Sequence, residues 1–105
     1  MKKINILKLA EDDNNRLILR NNLRYIRNYL GLTEKQLGEM IGVSKQTINN
    51  FEIKRIIIKK DKYIALLNVI ISFANSNTKL YDKELIYKML TKEITFMKYD
   101  VNFKD

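Results

Sequence analysis

The chain contains only three glycines, Gly31, Gly38 and Gly42, and no proline. Sheet-rich folds turn many tight corners and rely on these two residue types. Their scarcity selects helices, and their clustering shows where the chain turns most sharply. Gly31 and Gly42 bracket a helix of about eight residues. Gly38 stands inside it, where glycine costs about 1 kcal/mol relative to alanine. A close approach of another helix is the expected reason for that cost.

The apolar periodicity around these glycines is helical. Asp12, Asp13 and Asn14 are helix-start residues, and acids there face the positive end of the helix dipole. Leu19, Leu23, Ile26 and Leu30 follow at alternating spacings of four and three, predicting a helix over 15–29 that Gly31 ends. Arg16, Arg20, Arg24 and Arg27 recur at nearly the same period and form a basic stripe, of which Arg16, Arg20 and Arg24 are read mainly as a solvated face. Thr33 and Gln36 have capping-box spacing, and Leu37, Met40 and Ile41 are spaced to face one core. Ser44 is the natural cap of the next helix. Val43, Ile48 and Phe51 supply its buried side, while Lys45, Gln46, Asn49 and Asn50 remain on the other. Two short helices joined by a glycine-containing turn make a helix-turn-helix, whose second helix enters the major groove of DNA.

Beyond this unit, Asp61 is expected to cap a fourth helix, "KYIALLNVIISFA". That helix is apolar on nearly every side, so it is either central to the core or buried by a partner chain. After a polar break at 75–79, Asp82 is expected to cap a fifth helix, with Leu85, Ile86, Met89 and Leu90, then Ile94 and Met97, on its apolar side. Tyr99, Val101 and Phe103 alternate like a strand, and "KINIL" near the start partly alternates too, so the two ends could pair. Tyr25, Tyr29 and Tyr63 are read as rim packing.

Composition narrows the chemistry. There is no cysteine and no histidine in the 105 residues, which excludes disulfides, the usual zinc ligands and Ser–His or Cys–His nucleophiles. No carboxylate cluster has metal-site spacing, and there is no glycine-rich phosphate loop. The expectation is a protein that is not an enzyme and needs no metal or cofactor. No apolar run reaches the roughly 18 residues of a membrane span, and the first residues are too charged for a signal peptide. A cytoplasmic location is expected. The net charge is +8, and residues 16–60 hold ten Lys or Arg against three Glu, so +7 of it lies there. A localised basic field favours polyanions, nucleic acid first.

Residues 16–74 resemble the phage-repressor and Cro-type helix-turn-helix family, also called XRE-like, found in phages and mobile elements. The resemblance is carried by "LRYIRNYLGLTEKQLGEMIGVSKQTINNFE". Within it, "GLT" precedes the second helix, "QLG" supplies Leu followed by a small residue, "IGVS" makes the turn, and "TINNFE" completes the recognition helix. The resemblance implies an all-α, lambda-repressor-like bundle of about five helices with a C-terminal extension. Residues 1–75 form the DNA-binding domain, and residues 76–105 the extension, a helix plus tail able to serve in dimerisation.

It further implies base reading by Lys45, Gln46 and Asn50, chemistry that suits lysine on guanine and an amide on adenine. Thr33, Ser44, Thr47, Asn49, Lys54 and Arg55 are implied as backbone or auxiliary DNA contacts. Arg27 and Glu52 match a pair that the family uses as an internal salt bridge, and Gly38 a position where the third helix packs on the second. Three departures stand out: Glu34 replaces the family's usual glutamine, Lys54 its usual glycine, and a later proline is missing. The expected function is a sequence-specific transcriptional regulator of double-stranded DNA, a repressor, binding as a homodimer through the fourth helix and residues 76–105. The alternative is the same fold reused as a protein-binding module, an antirepressor or an inhibitor of a nuclease complex.

Overall fold

A computed structural model describes residues 4–92, which form six helices and their connections. The helices are α1 (Ile6–Glu11), α2 (Asp13–Tyr29), α3 (Glu34–Ile41), α4 (Lys45–Glu52), α5 (Lys60–Ser76) and α6 (Lys83–Thr91). No strand occurs among the described residues, and the architecture is an all-helical bundle around one core. The alternation at 99–103, and Ile94 and Met97, lie outside the described residues.

The start of the chain departs from the strand-like reading. Ile6 and Leu7 open α1, whose cap is Asn5: its side chain accepts from the Lys8 amide at 3.2 Å. The helix ends at Asp12, which caps α2 by accepting from the Asn14 amide at 2.9 Å. Six residues are too few to display a helical period, so the alternation of Ile4 and Ile6 carried no information about strand. Ile4, Leu9 and Ala10 are buried against the rest of the core.

The most apolar helix, α5, is central: it packs against α1, α2, α3 and α6. Leu66, Leu67, Ile70 and Ala74 are essentially inaccessible. Burial of each of the three larger side chains contributes about 1.5–3 kcal/mol. Its start differs from expectation, because the N-cap is Lys59 with no side-chain cap bond, and Asp61 lies inside the first turn. There it still faces the positive end of the dipole. Tyr63 is core and not rim, at 1% exposure.

Helix α6 joins the same core through Ile86, Met89 and Leu90, so the core shows no break at 75/76. Asp82 caps it, accepting from the amides of Glu84 and Leu85 at 2.9 and 3.3 Å. Buried Asn22 of α2 fixes its other end, donating from Nδ2 to the carbonyls of Met89 and Lys92 at 2.8 and 2.7 Å. Tyr29 and Tyr81 complete the joint. The Tyr29 hydroxyl accepts from the Asp82 amide at 2.8 Å, and the Tyr81 hydroxyl donates to the Leu30 carbonyl at 3.3 Å.

Met40 is the other departure, being 48% exposed. The buried stripe of α3 is Leu37, Gly38 and Ile41. At about 100° per residue, Met40 falls about 60° outside that stripe.

Candidate nucleic-acid interface

The site is built from α3, the turn and α4. Thr33 and Gln36 close a reciprocal capping box: Thr33 Oγ1 accepts from the Gln36 amide at 3.0 Å, and the Thr33 amide donates to Gln36 Oε1 at 2.9 Å. Gly42 ends α3 in the left-handed region, at φ 77°. The turn then folds back onto Gly38, whose carbonyl accepts from the Val43 amide at 2.9 Å. A Cβ on Gly38 would stand 2.6 Å from the Val43 carbonyl oxygen and 3.2 Å from that of Ser44. The glycine therefore makes room for the backbone of the turn, a closer constraint than helix-on-helix packing.

Ser44 starts α4, accepting from the Thr47 amide at 3.1 Å, and its hydroxyl lies 2.9 Å from the Thr47 hydroxyl. Ile48 and Phe51 seat the helix, at 0% and 3% exposure. That places Lys45 and Gln46 in solvent, with Asn49 and Asn50 half-buried beside them. The polar side chains are already arranged. Gln46 Nε2 donates to Asn50 Oδ1 at 3.1 Å, and Asn49 Nδ2 donates to Glu34 Oε2 at 3.1 Å. The first bond joins residues four apart on one helix, a spacing visible in sequence. The second links residues fifteen apart, and no local signal announced it.

Glu52 anchors α4 from behind. Arg27 grips its carboxylate with both arms, Nε to Oε2 at 2.6 Å and Nη2 to Oε1 at 3.0 Å. The remaining Nη1 donates to the Leu32 carbonyl at 2.9 Å and to Asn28 Oδ1 at 3.3 Å. Arg24 adds a third cationic contact, Nε to Glu52 Oε1 at 3.3 Å. Two members of the arginine stripe thus converge on Glu52, while Arg16 lies 3.8 Å from Asp13.

Past α4 the chain turns at Lys54, the one non-glycine residue with positive φ among the described residues, at 63°. The connector that follows exposes Lys54, Arg55, Lys59 and Lys60, together with Ile53, Ile56 and Ile57. Ile58, at 2% exposure, pins it to the core. Among the described residues there is no group of carboxylates that could hold a metal ion, and no helix long and apolar enough to cross a membrane.

The family described as "Helix-turn-helix" matches residues 23–70, from the middle of α2 into α5. No curated protein and no solved structure matches the chain. With the helix pair, the glycine-tight turn and the Arg27–Glu52 clamp in place, residues 23–70 belong to the phage-repressor and Cro-type (XRE-like) helix-turn-helix family of DNA-binding regulators.

Proposed function

We propose that the protein is a sequence-specific transcriptional regulator of double-stranded DNA, a repressor, that inserts α4 into the major groove. One observation carries this reading. Ile48 and Phe51 bury one side of α4, and the other turns Lys45, Gln46 and Asn50 outward within the most basic part of the chain. Lysine suits guanine O6 and N7, and the linked amides of Gln46 and Asn50 suit adenine. Ser44, Thr47 and Asn49 stand beside these readers. At the start of α3 the capping box occupies the amides of Thr33 and Gln36, which leaves those of Glu34 and Lys35 for a phosphate. Lys54 and Arg55, exposed just past α4, have the charge to hold a second stretch of DNA backbone. No cofactor or catalytic step belongs to this reading, and its setting is the cytoplasm.

A homodimer fits the paired half-sites that such readers use. Helix α5 turns most of its apolar surplus into the core and keeps Ile64, Val69 and Phe73 half-buried at its surface, the part of it open to a dimer partner. Leu80 and Tyr87, 63% and 40% exposed, keep the segment after residue 76 in that role. The second reading, a protein-binding module, draws on the exposed Ile53, Ile56 and Ile57, an apolar patch that DNA phosphates do not need.

The test is selection of bound duplexes from a random pool, followed by titration at several salt concentrations. An enriched site, steep weakening with salt and loss of site preference in the Lys45→Ala, Gln46→Ala double variant are expected. A flat salt response without an enriched site would transfer the assignment to a protein partner.

A further inference from the structure

A carboxylate is an awkward group at the start of α3. On the reading above, that helix end meets DNA phosphates, and Glu34 would oppose them. Its side chain does not fold over its own helix amides. It reaches across the turn to α4 and accepts from Asn49 Nδ2 at 3.1 Å. Both residues are half-buried, between the capping box of α3 and the exposed face of α4.

The bond settles which way the Asn49 amide points. Flipping it would set Oδ1 against the Glu34 carboxylate, acceptor against acceptor. With Nδ2 held by Glu34, Asn49 presents its carbonyl oxygen, and the carboxylate beside it offers further lone pairs. The edge formed by the two residues is therefore rich in acceptors. Phosphate oxygens, guanine O6 and N7, and thymine O4 are themselves acceptors and are disfavoured there. In the major groove cytosine presents a lone amino donor, N4, whereas adenine sets the acceptor N7 beside its amine.

We propose that Glu34 and Asn49 form a specificity-determining pair that accepts a hydrogen bond from the N4 amine of a cytosine at one position of the recognised site. The proposal rests on α4 being a base-reading helix. The pair adds a cytosine to a surface whose other readers, Lys45, Gln46 and Asn50, suit purines. It also gives Glu34 a use that compensates for its repulsion of the backbone, because the charge that weakens binding everywhere sharpens it at one base.

The experiment compares site selection by the wild type, Glu34→Gln and Asn49→Ala from the same random duplex pool, with thermal unfolding to verify that each variant is folded. The expected wild-type site contains one strongly preferred cytosine. In Glu34→Gln the amide can face either way, so that preference should fall about tenfold, with the other positions unchanged. Asn49→Ala should lose the same position, and overall affinity of Glu34→Gln at low salt should rise as the charge is removed. A wild-type site whose base preferences survive both substitutions would overturn the pair and leave the base-reading role of α4 intact. A wild type that enriches no sequence would overturn both.

Discussion

Lys54 repeats at the end of α4 the left-handed turn that Gly31 makes at the end of α2. Their φ angles are 63° and 74°. The hydrogen bonds correspond as well. Gly31 and Leu32 donate to the carbonyls of Asn28 and Arg27 at 3.0 and 3.1 Å, and Lys54 and Arg55 donate to those of Phe51 and Asn50 at 3.2 and 2.9 Å. One cap is made with the residue that tolerates this conformation and the other with one that does not.

Lys54→Gly should therefore relieve strain and stabilise the fold by about 1 kcal/mol, read as a higher midpoint in urea unfolding. If Lys54 neutralises a phosphate, the same variant should bind DNA more weakly and lower the salt slope by about one. Greater stability with weaker binding is the signature of a strained residue kept for its charge. A variant no more stable than the wild type would remove the strain argument.

The Arg27–Glu52 clamp makes a prediction of larger size. The Glu52 carboxylate is fully shielded from solvent and satisfied by two arginines. Glu52→Ala leaves Arg27 buried without its counter-charge, which should cost about 3–5 kcal/mol. Arg27→Lys should also destabilise, because one ammonium cannot span both carboxylate oxygens and the Leu32 carbonyl. Circular dichroism melting of the two variants checks this, and a change of only a few tenths of a kcal/mol in Glu52→Ala would contradict it.

What the sequence made legible followed from local rules. The caps at Asp12, Thr33, Ser44 and Asp82 and the stops at Gly31 and Gly42 are set by residues within four positions of one another, and each stands in the structure. The left-handed turn at Lys54 was foreshadowed because glycine is the usual occupant there. What stayed hidden depends on the third dimension. Helix α1 is too short to show a period and is held by α5, far along the chain. Met40 has the right spacing for a stripe whose centre only the packing of α3 defines. The Asn49–Glu34 bond crosses the turn, and the Asn22 bonds to α6 span about seventy residues. No window of sequence contains either.

Those Asn22 bonds carry the third prediction. The amide replaces water for the last carbonyls of α6, including that of Met89. Asn22→Ala removes it and leaves those acceptors beneath a small cavity, at an expected cost of about 2–3 kcal/mol. Because α6 packs chiefly on α2, hydrogen exchange should rise first in residues 83–91, with the α3–α4 pair still protected. Uniform loss of protection would mean that α6 is not a separable unit.

Tyr63 gives a pH dependence with a defined sign. Its hydroxyl is buried and has no hydrogen-bond partner among the described residues. Burial pushes the phenol from 10.0 up to about 12, with the nearby Asp12 carboxylate adding to the rise and Arg16 opposing it. Below pH 10 the phenol is neutral whether the chain is folded or not, and its contribution to stability is constant. Between the two values the unfolded chain releases this proton while the folded chain keeps it. Stability must then fall as pH rises, with the fall complete above the folded value. Discounted for partial solvation, the loss is about 1–2 kcal/mol. Tyr63→Phe removes both the titration and the unsatisfied hydroxyl, so it should be about 1 kcal/mol more stable near neutrality. Its advantage over the wild type should widen from about pH 10 to about pH 12, measured by urea unfolding of both proteins in parallel. An advantage that stays level across that range would show that the phenol is solvated in the folded state.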